Sequence, residues 1–457
     1  MRWYLGIDVS KGYADFALYS EDLDPVEDVF QLDDTRQGHD QLVRWLEKLV
    51  KRNPGLKIDC AVESTGGYEN NWYALLLRLG GRMPVRAVRL NPSVVKNASK
   101  ALLNANKTDA ESAREIAGYL KRYADQVSYA TEESVYVGFR SLHNLLDKVR
   151  CQKTEMINAL KQLLYSNFPE LERFAKSGVP TWVLELLIRY PTSAKLCKVK
   201  AEKLARIKGV TLKKAQALID KAKASVASHE NPAETFAIIE LAKSIKEKQE
   251  QVDRLKDYLT ENCKGPETEL LESIKGIGAY SAAAIMVQIE DIRRFASPKQ
   301  LASYFGLHPV LRVSGDKQMV SKMSKQGRPA IRGILYMCAN SAMLADPQMR
   351  ATYKRQRSMG KGHNQAIGVL MHKMLRVIWG VLMSGKPYDP EIDRKNQERS
   401  PQAPATEEIR EVLRKRRMQI YDESAPVSRR AGKKRKAHAL SQAGEAGQVR
   451  DLVHGPG

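Results

Sequence analysis

The sequence has little cysteine and histidine, and neither is spaced as a metal site or a disulfide framework. Its 5 cysteines lie far apart without a Cys-x-x-Cys pair, and its 8 histidines include no His-x-x-x-His pair. A zinc site and a disulfide-stapled scaffold are therefore not expected. The composition instead favours a reducing compartment such as the cytoplasm.

Long apolar runs are missing as well. The longest candidate, residues 367–383, is interrupted by His372, Lys373 and Arg376, whereas a membrane span needs about 18 consecutive apolar residues. Near the start of the chain, Asp8 comes too early for the apolar core of a signal peptide. These features predict a soluble protein that is not secreted and has no membrane partner.

Acidic residues are fewer than basic ones, and the whole excess of basic residues lies in residues 126–457. The 457 residues include 75 Lys and Arg against 53 Asp and Glu, a net charge of +22, yet residues 1–125 contain 18 of each sign. Between Arg312 and Lys361, 11 basic residues accompany Asp316 and Asp346 alone. Such a field suits a polyanion such as nucleic acid, because a merely solvated face usually interleaves the two signs.

The first 125 residues predict an α/β domain with a mixed sheet. Apolar runs and helical spacing predict, in order, strands at 3–9, 13–19 and 26–32, a helix at 39–50, a strand at 58–63, a helix at 72–79, a strand at 85–90 and a helix at 109–123. Three strands followed by alternating helix and strand are typical of a layered α/β fold.

Two later segments, 142–164 and 238–259, have heptad-like apolar spacing. They predict long helices that pack against each other in an intramolecular hairpin or against another protomer. We therefore expect a helical, coiled-coil-like assembly region at 126–265, a mainly α domain at 266–390 and a basic, mostly disordered tail at 391–457. The tail either contacts nucleic-acid phosphates or only aids solubility.

Three carboxylates occupy the ends of predicted elements. Asp8 and Glu63 each end a strand, and Asp109 opens a helix, which are positions where an α/β sheet presents a site. Two or three carboxylates beside a phosphate suit Mg²⁺, and paired ions stabilise the attacking and leaving oxygens of a phosphoryl transfer. Each acid taken singly also has an ordinary explanation, as a turn cap or as an acid in the first turn of a helix.

Four sequence blocks give these acids a common context. They are Gly-Ile-Asp-Val-Ser-Lys at 6–11, Glu-Ser-Thr-Gly-Gly-Tyr-Glu at 63–69, Asn-Pro at 91–92, and Lys-Thr-Asp at 107–109 followed by Ala113, Ile116 and Ala117. In order and approximate spacing the chain resembles the insertion-sequence one-ten family of transposases, which includes the pilin-gene invertase. The resemblance covers about residues 4–380 and implies a RuvC-like, ribonuclease H-type N-terminal domain.

The resemblance also implies a set of site residues in this domain. Asp8, Glu63 and Asp109 would hold Mg²⁺ or Mn²⁺, and Lys11 and Lys107 would contact nucleic acid. The family pattern has a fourth acid three residues after Asp109, where this chain has a serine. The candidates for the fourth ligand are Ser112 and Glu111, whose side chain leaves the helix ~100° away from position 112.

The second half contains two further blocks. Residues 274–278, Ile-Lys-Gly-Ile-Gly, precede an Ala-rich helix and resemble a helix-hairpin-helix element, in which Lys275, Gly276 and Gly278 would approach a phosphate. A simple tight turn is the alternative. Residues 295–332 resemble the family's C-terminal transposase domain, in which Ser314 takes the place of the proposed nucleophile. Four basic residues after it are expected to contact flanking phosphates: Lys322, Lys325, Arg328 and Arg332.

The function implied by the resemblance is that of a DNA transposase or recombinase. Ser314 would attack a DNA phosphate, and a liberated 3′-hydroxyl would resolve the covalent intermediate. The implied partners are donor and target DNA, a non-coding bridge RNA and further copies of the chain in a dimer or tetramer, associated with the nucleoid in the cytoplasm of a bacterial or archaeal cell. Two alternatives remain open: a metal-dependent junction-resolving nuclease, and a nucleic-acid-binding protein that has lost its activity.

Overall fold

The first part of the chain forms a five-stranded sheet. The computed structural model describes residues 1–64, 66–101, 108–130, 134–172, 178–227, 231–310, 322–325, 327 and 329–399. The strands are β1 (Arg2–Ser10), β2 (Tyr13–Tyr19), β3 (Phe30–Asp33), β4 (Lys57–Glu63) and β5 (Val85–Leu90). Their order is β3-β2-β1-β4-β5, in which β1 pairs antiparallel with β2 and parallel with β4. The predicted mixed sheet is confirmed.

Four helices pack on this sheet: α1 (Arg36–Arg52), α2 (Asn70–Gly80), α3 (Pro92–Ala101) and α4 (Asp109–Arg122). Because successive side chains of a strand point to opposite faces, β1 supplies two separate cores. Leu5 and Ile7 pack in one cluster with residues of α1 and α2, such as Leu42 and Trp72. Tyr4 packs in the other cluster with residues of α3 and α4. The sheet is therefore covered on both faces.

Gly6 allows α4 to lie directly on β1. A Cβ atom at Gly6 would stand 2.1 Å from the carbonyl oxygen of Ala113 and 2.4 Å from the backbone nitrogen of Ala117. No side chain fits in that space, so glycine is required by the close approach of the two backbones. Asp109 lies one turn before Ala113 and Asp8 lies two residues after Gly6. This packing therefore brings the start of α4 to the end of β1.

Two local predictions in this domain differ from the structure. The third strand was expected over 26–32, but it begins at Phe30, and Pro25 makes a single isolated bridge with Tyr19. Glu27 and Asp28 follow Val26, so the alternation of apolar and polar residues that a half-buried strand needs is absent there. Helix α3 was not predicted at all.

Two long helices follow, α5 (Arg140–Asn167) after a 3-10 turn at Val137–Phe139, and α11 (Pro232–Asn262). They pack against each other within one chain, and Leu146, Val149 and Val252 form a buried cluster between them. Lys153 also donates a hydrogen bond of 2.7 Å to Gln249. The structure thus has the intramolecular pairing that the heptad spacing predicted as one of two arrangements.

Five shorter helices between α5 and α11 form a separate helical core with them. They are α6 (Pro169–Glu172), α7 (Thr181–Arg189), α8 (Ser193–Leu196), α9 (Ala201–Leu204) and α10 (Leu212–Lys223). Their apolar residues join Leu160 and Leu164 of α5 and Ile238 of α11 in one cluster. The sequence patterns predicted a helical region here but not these five individual helices.

The next helices form the C-terminal core: α12 (Pro266–Glu272), α13 (Ala279–Ile289), α14 (Pro298–Tyr304), α15 (Pro329–Ala345), α16 (Pro347–Ser358) and α17 (His363–Ser384), with a 3-10 turn at Ile292–Arg294. Among the described residues α17 alone is long and apolar enough to cross a membrane by length and composition. It packs against α14, α15 and α16, and its buried residues include Leu370, Met374 and Ile378. That is the packing of a core helix.

The described residues fall into two units. One contains the described residues within 1–305 and 329–388, and the other contains those within 306–327 and 389–399. The described part of the second unit contains an antiparallel pair, β6 (Pro309–Val310) with β7 (Lys322–Met323), and helix α18 (Pro390–Arg399). The predicted disordered tail lies, from residue 400 onwards, outside the described residues. The domain boundaries at 125, 265 and 390 stay predictions.

Candidate active site

The β1–β2 hairpin places two aspartates side by side. Lys11 and Gly12 form its loop, with Gly12 at φ 94°, and the strand register sets Asp8 directly opposite Asp15. Opposed residues on antiparallel strands point to the same face, with their Cβ atoms about 5 Å apart. Asp15 is 7% exposed and accepts a hydrogen bond from Gln31 at 3.3 Å. Lys11 is exposed at the turn.

The third predicted acid lies at the start of α4. Thr108 caps this helix, and its side chain accepts a hydrogen bond of 3.2 Å from the backbone nitrogen of Glu111. Asp109 is the first helical residue, and its Oδ2 accepts a hydrogen bond of 3.0 Å from the hydroxyl of Tyr13. Tyr13 lies two residues before Asp15 on the same face of β2. The hairpin therefore orients the carboxylate of Asp109 as well.

Glu63 ends β4, next to β1. Because Ile7 pairs with Val62 in the parallel register, the next residues along the two strands are Asp8 and Glu63. The loop after Glu63 is folded around the buried Glu69, which accepts hydrogen bonds from the hydroxyl of Ser64 at 3.2 Å and from the backbone nitrogen of Gly67 at 2.8 Å. The second acid of this block thus fixes the loop rather than the site.

Burial and nearby negative charge both disfavour ionisation of Asp8. Burial first, and then the negative charges of Glu63, Asp109 and Asp15, together raise its pKa from the ordinary 3.8 to about 6. The pKa of Asp15 is also raised by burial and by Asp109, while the hydrogen bond from Gln31 lowers it. Like charges at close range disfavour ionisation, so the contributions of Glu63, Asp109 and Asp15 to the shift of Asp8 place these acids near it at one edge of the sheet.

This edge has the donor chemistry of a hard cation site. Carboxylate oxygens are the ligands that Mg²⁺ and Mn²⁺ prefer, and a cation would relieve the repulsion that raises the pKa of Asp8. As the side chains stand in the described part of the chain, no group of three or more His, Cys, Asp or Glu residues forms a ready metal cage. Holding an ion here therefore requires the carboxylates to turn towards one another.

The candidates for the fourth ligand, Glu111 and Ser112, make local hydrogen bonds along α4. Glu111 is half-buried, and its Oε2 accepts a hydrogen bond of 3.0 Å from Arg114, one turn further along α4. Ser112 is half-buried, and its backbone nitrogen bonds to the carbonyl of Thr108 as in any helix. Asp15 is the acid that sequence reasoning missed. Its signal was the two-residue hairpin loop, which fixes the register opposite Asp8.

Three of the predicted site residues, Ser314, Lys107 and Arg328, lie outside the described residues. The other predicted phosphate contacts of the second half are described. Lys322 belongs to β7, and Lys325 follows it with a φ of 57° while its backbone nitrogen bonds to the carbonyl of Gly306 at 3.0 Å. Arg332, on α15, donates a hydrogen bond of 3.5 Å to the carbonyl of Phe305.

The predicted hairpin at 274–278 connects α12 to α13. Gly276 has a φ of 99°, and a Cβ atom there would stand 2.5 Å from the backbone nitrogen of Ala342 and 2.7 Å from the carbonyl of Cys338 on α15. This glycine is therefore required by packing. Lys275 and Gly278 are exposed, and Gly278 is the N-cap of α13, which therefore has no side-chain cap. Their role in nucleic-acid binding stays a prediction.

The sequence of the chain matches two profiles of known transposases. Residues 5–169 match a profile for the DEDD transposases of IS110-type elements, and residues 268–354 match the profile described as the transposase IS116/IS110/IS902 family. The chain belongs to this transposase family. The predicted resemblance is confirmed. Family membership implies an enzyme that cuts and rejoins DNA, and the DEDD domain suggests the use of a divalent metal.

Three relatives show how far the transposase similarity extends. A protein of the insertion element IS110 from Streptomyces coelicolor is 28% identical over 301 residues, which is 62% of this chain and 72% of the relative. A protein of IS116 from Streptomyces clavuligerus is 23% identical over 396 residues, 85% of this chain and 96% of the relative. The pilin gene-inverting protein of Moraxella bovis is 34% identical over 127 residues, 27% of this chain and 39% of the relative.

Proposed function

We propose that this transposase joins DNA strands by metal-assisted phosphoryl transfer at the edge formed by Asp8, Glu63 and Asp109. The observation that carries the proposal is the strand register, which sets Asp8 opposite Asp15 and next to Glu63, together with the hydrogen bond by which Tyr13 of the same hairpin orients Asp109. The raised pKa of Asp8, caused by burial and then by these acids, supports it, because perturbed carboxylates cluster at functional sites. The strand order and the helices on both faces support a RuvC-like, ribonuclease H-type domain.

Each side chain has a part in this site. Asp8, Glu63 and Asp109 hold Mg²⁺ or Mn²⁺, which supplies charge neutralisation at the phosphate. Tyr13 keeps the Asp109 carboxylate oriented through its hydrogen bond, and Asp15 adds a fourth negative charge beside Asp8. The exposed Lys11 at the hairpin turn contacts a phosphate of the bound strand.

The nucleophile in the proposal is Ser314. Its hydroxyl oxygen attacks the phosphorus of a DNA phosphodiester, the proton passes to solvent, and the P–O bond to the 3′-oxygen breaks. The products are a serine–DNA phosphodiester and a free 3′-hydroxyl. A 3′-hydroxyl of the partner strand then attacks the same phosphorus and releases the serine. A serine is a weak nucleophile, so the reaction depends on a phosphate whose charge is masked.

The proposed partners follow from the family. A bridge RNA encoded by the element selects donor and target DNA, and the basic residues Lys322, Lys325, Arg328 and Arg332 hold the flanking phosphates. Copies of the chain assemble into a dimer or tetramer, in which the acids of one protomer act with Ser314 of another. The enzyme works in the cytoplasm, at the nucleoid of a bacterial or archaeal cell.

The test of the proposed site is a strand-transfer assay with the three acids changed one at a time. Asp8→Ala, Glu63→Ala and Asp109→Ala should each abolish strand transfer in Mg²⁺ or Mn²⁺ while binding of nucleic acid persists, because the first 125 residues carry no net charge. Asp125→Ala is a matched control that removes a carboxylate outside the cluster. Near-normal transfer by one of the three variants would remove that residue from the site.

A further inference from the structure

A second hairpin lies in the small helical region, between α9 and α10. Its residues, Ile207, Lys208, Gly209, Val210 and Thr211, repeat the order of Ile274, Lys275, Gly276, Ile277 and Gly278. Both sequences read Ile-Lys-Gly, then a branched apolar residue, then a small residue before a helix. This region lies between the two segments matched by the family profiles, at 170–267.

The two hairpins have the same backbone geometry. The glycines have φ values of 92° at Gly209 and 99° at Gly276. In the first hairpin the backbone nitrogen of Val210 bonds to the carbonyl of Ile207 at 3.0 Å, and in the other Ile277 bonds to Ile274 at 3.0 Å.

Burial follows the same pattern in both hairpins. Ile207 and Val210 are 1% and 5% exposed, as are Ile274 and Ile277. The lysine between the buried pair is exposed in both hairpins. The chain therefore carries one structural element twice.

The surface around the second hairpin is strongly basic. Residues 193–223 contain two acids, Glu202 and Asp220, and ten basic residues, Lys195, Lys198, Lys200, Lys203, Arg206, Lys208, Lys213, Lys214, Lys221 and Lys223. Lys198, Lys200, Lys203 and Arg206 line a shallow concave surface together with Glu202. A surface evolved only for solubility usually interleaves both signs, and this one does not.

Most of these basic side chains are exposed. Lys214 is held by the fold, because its ammonium lies 3.7 Å from the ring centre of Trp182 and donates to the carbonyl of Gly209 at 3.1 Å. In the part of the chain that the structure describes, Lys203, Arg206 and Lys208 form no ion pair with a carboxylate. Lys213, in the first turn of α10, is likewise exposed and without an ion pair there.

We propose that residues 198–213 form a second nucleic-acid-binding surface, which holds the phosphodiester backbone of a duplex. Lys203, Arg206, Lys208 and Lys213 surround the hairpin and supply the positive charge. Backbone phosphates need such charge and no sequence-specific contacts, so binding here adds affinity without choosing a sequence. The backbone is that of either DNA or structured RNA, which share this chemistry. The inference does not depend on the chemistry proposed for Asp8 or Ser314.

The test compares two variants of the full chain that lose the same charge. One carries Lys203→Gln, Arg206→Gln, Lys208→Gln and Lys213→Gln. The control carries Arg44→Gln, Lys48→Gln, Lys51→Gln and Arg52→Gln on the exposed face and end of α1, in the part of the chain with no net charge. Fluorescence anisotropy measures binding of each variant to a DNA duplex and to an RNA duplex of about 30 base pairs, over a range of salt concentrations.

The hairpin variant should bind at least one duplex roughly ten- to a hundredfold more weakly at ~0.1 M salt, and its log–log salt slope should fall by about one unit per lost phosphate contact. A loss with the DNA duplex, the RNA duplex or both supports the proposal and identifies the backbone that is bound. The control should change the affinity for either duplex by less than about threefold.

Equal losses in the hairpin variant and the control would overturn the proposal, because they would reflect total charge alone. An unchanged salt slope in the hairpin variant would also overturn it. Circular-dichroism melting of both variants checks that the fold is intact, as expected for exposed side chains. The outcome is independent of the proposed catalysis, since Ser314→Ala should bind both duplexes normally in the same assay.

Discussion

Asp8 on β1 stands directly opposite Asp15 on β2, across a hairpin loop of two residues. This pairing puts two carboxylates on one face of the sheet, where Glu63 and Asp109 add their negative charge. In the folded chain the arrangement is unfavourable whenever the acids are ionised. It therefore has measurable consequences for stability as well as for activity.

The first prediction concerns Asp8→Asn in the absence of divalent ions. The pKa of Asp8 is raised from its ordinary 3.8 to about 6 in the folded chain. The folded state therefore loses stability as the pH rises from 3.8 to about 6, because Asp8 ionises less readily there than in the unfolded chain. After allowance for solvent screening, Asp8→Asn should stabilise the chain by about 1–2 kcal/mol above pH 6. The gain should disappear near pH 4. Urea unfolding in a chelator at several pH values measures it, and a variant that is less stable at pH 8 would contradict the electrostatic account.

The second prediction concerns Tyr13→Phe. Loss of the hydroxyl removes the hydrogen bond to Asp109, which is worth about 0.5–1.5 kcal/mol, so strand transfer should slow up to about tenfold. Tyr19→Phe on the same strand is the matched control and should be active. A positioning role further predicts that the divalent-ion concentration for half-maximal transfer rises in Tyr13→Phe. An unchanged ion dependence would leave Tyr13 without this role.

The third prediction separates the candidates for the fourth acid. Asp15→Asn should reduce strand transfer more than Glu111→Gln or Ser112→Ala, because Asp15 faces Asp8 whereas Glu111 pairs with Arg114. Transfer rates of the three variants under saturating Mg²⁺ decide the order. A large loss with Glu111→Gln alone would favour a ligand shifted by one position along α4. Full activity in all three would mean that three acids with water and phosphate oxygens suffice.

The fourth prediction concerns the basic residues after the serine. Replacing Lys322, Lys325, Arg328 and Arg332 by Gln should weaken DNA binding for all sequences and reduce the salt slope by about one unit per lost phosphate contact. Binding isotherms with several unrelated DNA duplexes measure both quantities. A loss confined to one sequence, with the slope unchanged, would show that these side chains read bases.

Four of the five strands of the sheet were predictable from sequence, because β1, β2, β4 and β5 each carry their own apolar pattern. Strands β2 and β5 match their predicted bounds of 13–19 and 85–90. Helix α3 has a common start signal, Pro92 at its first position, but the sequence analysis did not predict it. The small helices between α7 and α10 are each too short for a clear helical period.

The site was predictable only in part. Asp8, Glu63 and Asp109 stand out because each is at the end of an element, and the close contact at Gly6 that brings them together is a tertiary feature. Asp15 looks like an ordinary polar position within a strand, and its importance follows from register. The hydrogen bond between Tyr13 and Asp109 joins residues 96 positions apart. Spacing along the chain carries no signal for such a contact.

The most direct test of the proposed recombination chemistry is the search for a covalent protein–DNA adduct on a denaturing gel. The full-length protein, incubated with its donor DNA and Mg²⁺, should form an adduct that survives denaturation and disappears in Ser314→Ala. Ser314→Cys should form it slowly, because a thiolate is softer towards a hard, metal-bound phosphate. Strand cutting and joining that persist in Ser314→Ala would contradict the serine mechanism and assign the attack to water, as in a nuclease.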